Sequence, residues 1–367
     1  MENRSFDVRT RVFSEWQTRR RLVTIAGAGA LVAVLGLALE PDQTEAKRRR
    51  VKGEHNIRGN KAIMCISGKT RRVPKKKRKK YLKQGATRGK CSGCTPVCPP
   101  GTCGDDGCGG TCGCVNGTVC NGGVCEVCDV SCTSGDSAAC GKTLVAAIDG
   151  GGTILVCPGE YEGQFALTLD VEIIGAGSGN DPATSTILRG SPKTGATVPV
   201  TSAVVARLVS LRITGGNETA QNSGGVYVGN AKAEVTIADC AVVENTGYDG
   251  GGVSVYSGSL TVTGSDISYN TATRNGGGIA TATLTTVEST TITKNTAAIR
   301  GGGIFLSTGT LDLGSGVTIT ENTANDGAGS GGGVYKDSLD STINNSATVT
   351  NNNPENCAGN DFPYTCP

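Results

Sequence analysis

From residue 140 onward the chain repeats itself, and this constrains the fold more than any other feature. Gly-Gly pairs followed by a β-branched residue occur at Gly224-Gly225-Val226, Gly251-Gly252-Val253, Gly277-Gly278-Ile279, Gly302-Gly303-Ile304 and Gly332-Gly333-Val334. The β-branched residues stand 27, 26, 25 and 30 positions apart. An asparagine returns in step at Asn245, Asn270, Asn295, Asn322 and Asn352. Between these marks lie short alternating runs such as Val235-Thr236-Ile237 and Val317-Thr318-Ile319-Thr320. A period of 20–50 residues means a solenoid or an array. Spacing of two in Val, Ile and Thr excludes helical repeats, and a propeller blade needs about 40–45 residues. A coil of parallel strands fits: each turn stacks on the next at ~4.8 Å, and small inward residues fill a narrow core. Stacked asparagines can then pass amide hydrogen bonds from coil to coil, forming a structural ladder.

Composition agrees. There are 56 glycines in 367 residues, about twice the ordinary ~7% share, and aromatics make up only 4%. Glycine permits sharp corners, and a narrow core does not need large rings. The segment Leu144-Val145-Ala146-Ala147-Ile148 reads as an amphipathic helix capping the first coil. Strands follow around Thr153–Tyr161, Val171–Gly177, 186–188 and 208–213.

Charge divides the chain into regions in series. Residues 1–90 hold 25 Lys+Arg against 7 Asp+Glu, and residues 91–367 hold 10 against 25. Arg19-Arg20-Arg21-Leu22-Val23 opens an uncharged apolar run to Leu39, the pattern of a twin-arginine-like export signal over 1–46. An uncleaved membrane anchor is the competing reading, since 18 residues just reach spanning length. Both readings place the remainder outside the cytoplasm, in an extracellular or cell-surface location. Residues 47–90 form a basic segment with 19 Lys+Arg, including Lys75-Lys76-Lys77-Arg78-Lys79-Lys80. Only Tyr81 interrupts that run with an aromatic ring, so nucleic acid is not an expected partner. The segment is either a solvated charged face or an attachment to anionic cell-envelope polymers.

Seventeen cysteines and a single histidine, His55, exclude chemistry built on clustered imidazoles. Ten cysteines fall between Cys94 and Cys132, in a disulfide-rich knot spanning 91–139 whose stretch 98–114 has almost no apolar residues. Irregular spacing favours disulfides over zinc, and an oxidising compartment suits them. Local spacing suggests Cys65 with Cys91, Cys140 with Cys157, and Cys357 with Cys366, while the ten knot cysteines pair among themselves. Cys240 is then left over, facing inward as a buried, inert core residue.

Two resemblances carry further expectations. The segment from Met64-Cys65-Ile66-Ser67-Gly68-Lys69 to Gly89-Lys90-Cys91 resembles a small module of exported bacterial proteins. Ile66, Tyr81, Gln84 and Ala86 stand where that module has His, His, His and Asp. Ala147-Ile148-Asp149, Cys157-Pro158-Gly159-Glu160-Tyr161, Ile173-Ile174-Gly175-Ala176-Gly177, Leu211-Arg212-Ile213-Thr214-Gly215-Gly216 and Asn353-Pro354-Glu355-Asn356-Cys357 are similar to bacterial parallel β-helix repeat proteins of the pectate-lyase-like fold. That resemblance covers about 140–360 and implies an all-β, right-handed parallel β-helix over 140–367.

The fold hosts polysaccharide lyases and hydrolases as well as adhesins and passive surface proteins, so it does not settle function. Aligning coils on their glycines puts Asn222, Asp249, Asn275, Arg300 and Ser330 in one column, with Asp326 in a nearby loop. Asp249, Asn275, Arg300 and Asp326 are therefore the weak catalytic candidates, and calcium is a cofactor only if the protein is a lyase. Against catalysis, the corners are short, aromatic platforms for sugars are scarce, and carboxylates do not repeat as pairs on neighbouring coils. The expected function is an exported, monomeric structural or adhesive protein binding envelope polymers or extracellular polysaccharide without a cofactor. A polysaccharide-active enzyme is the alternative.

Overall fold

A computed structural model describes residues 61–66, 69–83, 87–88, 101–105, 111–112, 114, 117–192, 195–219 and 223–360. The export signal expected over 1–46 lies outside the described residues. Among those residues no helix is long and apolar enough to cross a membrane.

The repeat builds an all-β parallel solenoid of about eight coils. Its walls are a 13-stranded sheet, an 8-stranded sheet and a short 5-stranded one. One coil shows the logic. Strands Ile279–Thr281 and Leu284–Glu288 lie in the largest sheet, Thr291–Thr293 in the second and Thr296–Ala297 in the third. The glycine triplet 301–303 then delivers Ile304 into parallel register with Ile279. Alternation sends Ile279, Val287 and Ile292 inward, each fully buried. Each such burial contributes about 1.5–3 kcal/mol. Their equivalents on neighbouring coils, such as Val253, Val262 and Ile267, join them in one continuous core.

The glycines are required by close approach rather than by flexibility alone. A Cβ on Gly302 would lie 2.5 Å from the carbonyl oxygens of Thr323 and Gly332, so only glycine lets successive coils stack there. Elsewhere the corners accept left-handed backbone without glycine. Successive coils place Ser210, Asp239, Gly264 and Ser289 at one corner, with φ of 53°, 52°, 60° and 48°. A non-glycine residue in this region costs about 1–2 kcal/mol, whereas glycine costs roughly 0.5–1 kcal/mol of chain entropy. Ser289→Gly is therefore expected to stabilise the fold by up to about 1 kcal/mol, measured by denaturant unfolding. A loss would mean that the Ser289 side chain makes a compensating contact.

The N-terminal end of the core is closed by the helix Ser137–Ile148. Asp136 caps it, its Oδ1 accepting from the N–H groups of Ala138 at 3.0 Å and Ala139 at 3.3 Å. Cys140, Leu144 and Ile148 turn into the core.

The cysteine pairing differs from the sequence expectation. Cys140 bonds to Cys132, and Cys157 bonds to Cys128, so Cys140 and Cys157 are not partners. The knot cysteines are therefore not self-contained. The cause is a strand contact that spacing does not reveal: Asp129 and Val130 run alongside Leu155 and Val156, which sets Cys128 beside Cys157. Four residues later Cys132 reaches the first turn of the helix. Within the knot, Cys103 pairs with Cys120 and Cys114 with Cys125. Cys357 is disulfide-bonded. Cys366 and Cys91 lie outside the described residues.

The basic segment has a fold of its own. Strands Lys61–Ile66, Lys69–Pro74 and Thr87–Arg88 form a three-stranded antiparallel sheet with Lys61–Ile66 in the centre, which holds Cys65 opposite Thr87. A 3-10 turn, Lys75–Lys77, leads into the short helix Arg78–Lys83. Lys76, Lys77, Lys79, Lys80 and Lys83 are all exposed there.

Candidate functional site

The inner asparagines form a hydrogen-bonded column. Each side-chain oxygen accepts from the backbone N–H and the side-chain amide of the asparagine one coil earlier, at 2.9–3.1 Å, from Asn245 through Asn270, Asn295 and Asn322 to Asn352. Asn356 supplies the last oxygen, accepting twice from Asn352. Gly216 N–H donates to Asn245 at the other end. All five stepped asparagines are buried, so the column is structural and offers solvent nothing. Asn356 falls outside the 25-to-30-residue step, which is why periodicity misses it.

A shorter column begins at Cys240. Its N–H donates to Ser265 Oγ at 3.1 Å, and Ser265 N–H donates to Thr290 Oγ1 at 3.3 Å. Cys240 is a buried free thiol whose pKa is pushed up to about 12 by burial. It cannot ionise at neutral pH and makes a poor nucleophile.

Outside the core, the glycine alignment holds for the backbone. Gly250 N–H bonds to Asn275 C=O, Asn275 bridges Arg300, and Gly301 N–H bonds to Ser330 C=O. The side chains do not assemble as that column would suggest. Asp249 turns to Arg274, 3.4 Å away, and its Oδ1 accepts from Asn275 N–H at 3.1 Å. Arg300 turns the other way, to Asp337 at 3.3 Å. Asp249 and Arg300 are thus not brought together. Asp326 is exposed in its loop and joins neither pair. Asn222 lies outside the described residues.

Arg274 and Asp337 were not visible to the alignment, nor were the rings beside them. Arg274 stands 5.0 Å from the Tyr248 ring centroid, and Arg300 stands 4.9 Å from that of Tyr335. Tyr335 stacks on Phe305 with centroids 5.8 Å apart. Ala280, Phe305 and Tyr335 are adjacent in strand register on the outer face, yet they are buried. The arrangement is a run of four charges on four successive coils, Asp249, Arg274, Arg300 and Asp337, beside an apolar outer column.

Burial raises the pKa of both carboxyls, and the arginines only partly offset it: Arg274 for Asp249, and Arg300 then Arg274 for Asp337. A carboxyl whose folded pKa is raised makes folding less favourable as pH climbs from its unfolded to its folded value. Asp249→Asn removes that dependence. The variant is expected to gain stability relative to wild type as pH rises above the ordinary aspartate pKa of about 4, followed by thermal unfolding across that range. A relative loss over the same range would mean that the ion pair outweighs burial. Glu160 is the opposite case, since its hydrogen bonds from Arg189 at 2.8 and 2.9 Å lower its pKa. Its contribution is present above its unfolded pKa and is lost on acidification.

Chemically, this constellation is poorly placed for glycoside cleavage. Asp249 and Asp337 are three rungs apart, about 14 Å along the axis, with two guanidiniums between them. Hydrolytic carboxylate pairs stand roughly 5–9.5 Å apart. A free arginine base is also missing from the constellation, because each guanidinium faces a carboxylate. Calcium takes six to eight oxygens, and the carboxylates here are turned toward arginines. Elsewhere, the sulfurs of Cys103, Cys114 and Cys125 lie within 4.8 Å of one another, but they belong to two disulfides and are not thiolate ligands.

No protein-family model, curated protein or solved structure matches the chain.

Proposed function

We propose that this is an exported surface protein in which the lysine-bearing module attaches to anionic envelope polymers and the solenoid is a rigid, non-catalytic body carried outward. One contrast carries the reading. Asp249 with Arg274 and Asp337 with Arg300 are matched in ion pairs on the solenoid, whereas Lys76, Lys77, Lys79, Lys80 and Lys83 are exposed and have no carboxylate partner among the described residues. Unmatched lysines on a folded turn and helix form a compact positive face. The remainder of the chain, with 25 acidic against 10 basic residues over 91–367, is repelled by the same polymers. Together these charges orient the solenoid away from the surface. The disulfides suit the oxidising space that such a location provides.

The test is sedimentation of the full-length mature protein with cell walls. Wild type is expected to pellet and to elute in moderate salt, because the screening length falls to ~8 Å at 0.15 M. Replacing the five lysines with glutamine should abolish pelleting. Salt-resistant retention of both proteins would instead indicate a membrane anchor or a covalent link.

A further inference from the structure

The geometry points to a thiol–disulfide exchange site in the knot, entered at Cys120, independently of how the protein is held at a surface. Four cysteines form two crossed bonds there, Cys103–Cys120 and Cys114–Cys125, spanning 17 and 11 residues. The sulfurs of Cys103, Cys114 and Cys125 lie within 4.8 Å of one another, so each bond has a sulfur of the other within reach of attack.

The hairpin provides the fourth position. Strands Thr118–Asn121 and Val124–Val127 pair through the turn Gly122-Gly123, whose φ values of 56° and 88° suit a two-residue hairpin. Asn121 and Val124 close that turn as the hydrogen-bonded pair, which makes Cys120 and Cys125 the next, non-hydrogen-bonded pair. Such pairs bring Cα atoms to about 4.5 Å with side chains close, inside the ~4.4–6.8 Å range of disulfides. A second pairing, Cys103–Cys114 with Cys120–Cys125, is therefore open to the same backbone. Cys120 is exposed, while the other three are half-buried.

The substrate is a small thiol or a thiol on another protein, reacting as its thiolate. It attacks Cys120 Sγ, forms a mixed disulfide there and releases Cys103 as thiolate. Cys103 attacks Cys114 Sγ, forming Cys103–Cys114 and releasing Cys125. Cys125 then attacks Cys120 Sγ, closes Cys120–Cys125 and expels the original thiolate. Two disulfides are present before and after, so no net oxidant or reductant is consumed. Because a thiolate is the attacking species, the rate rises with pH toward the thiol's own pKa.

The test is Cys120→Ser in the otherwise intact chain. It leaves Cys103 without its partner, and the relay then shares the free thiol between Cys103 and Cys125. Cys103–Cys114 and Cys114–Cys125 close loops of equal length, so neither is favoured by loop closure. Alkylation followed by peptide mapping should find label on both residues, and label confined to Cys103 would overturn the proposal. Should that variant misfold, the unmutated protein is treated with catalytic glutathione and its disulfides are mapped. Appearance of Cys103–Cys114 and Cys120–Cys125, with Cys128–Cys157 and Cys132–Cys140 intact, is the expected result. Persistence of the crossed pair, or exchange that recruits Cys128, Cys132, Cys140 or Cys157, would overturn it.

Discussion

Asn295→Ala is expected to destabilise the solenoid by about 4 kcal/mol. Asn295 Oδ1 accepts from the backbone N–H and the side-chain amide of Asn270, and its own amide donates to Asn322 Oδ1 and to the Ile267 carbonyl. Alanine removes all four bonds at a fully buried position. Asn270 can still donate its amide to the Val242 carbonyl, but its backbone N–H is left without a partner, and the Ile267 carbonyl keeps only its ladder bond to the paired strand Thr291–Thr293. A buried orphan costs about 1–3 kcal/mol, and the lost volume adds a cavity. Chemical denaturation reads the effect. Asn295→Asp should be no milder, because a carboxylate would face the Asn322 oxygen and the Ile267 carbonyl with no donor. A change below about 1 kcal/mol in either variant would mean that the column is ornamental and that apolar stacking alone holds the coils.

Gly141→Ala is expected to cost about 3 kcal/mol, although local propensity argues for a gain. Gly141 sits inside the helix Ser137–Ile148, where alanine is normally better by roughly 1 kcal/mol. Its added Cβ would stand 1.9 Å from the Glu162 carbonyl oxygen and 2.7 Å from the carbonyl carbon. Both atoms belong to the strand Gly159–Gly163, which pairs with Thr186–Gly190 of the next coil and cannot easily retreat. The helix cannot lift freely either, because neighbouring Cys140 is bonded to Cys132. Overpacking against backbone on both sides belongs at the upper end of its ~1–3 kcal/mol range and outweighs propensity. Limited proteolysis between 130 and 150, together with the unfolding midpoint, would register the cap loosening. An unchanged or raised midpoint would show that the helix has room to shift.

What could be read directly from residues 140–360 was whatever recurs with the coil. Period-two alternation, glycine triplets and the stepped asparagines each reflect one rung stacking on another, so one coil's pattern predicts the next. Features that occur once were hidden. Arg274 lies one residue before the aligned column, and Asp337 lies beyond the strand Val334–Lys336. Their meeting with Asp249 and Arg300 depends on how long side chains lean across an outer face, which backbone alignment does not encode. The pairing of Cys140 and Cys157 escapes sequence spacing for a similar reason. Short spacing favoured Cys140 with Cys157, but the bridge between Val130 and Val156 decides who stands beside whom. In the basic segment, charge density concealed strands: Lys69–Pro74 carries Lys and Arg where alternation would normally show, and only its pairing with Lys61–Ile66 reveals it as an edge.

The central claim is that the charges of the outer column are spent on one another and that the solenoid does not cleave polysaccharide. The most direct measurement incubates the full-length protein with acidic polysaccharides, with and without calcium, and quantifies new reducing ends and unsaturated products. The account predicts no release above a protein-free control, for wild type and Asp249→Ala alike. Release by wild type that disappears in Asp249→Ala would contradict it and would make Asp249 a catalytic residue.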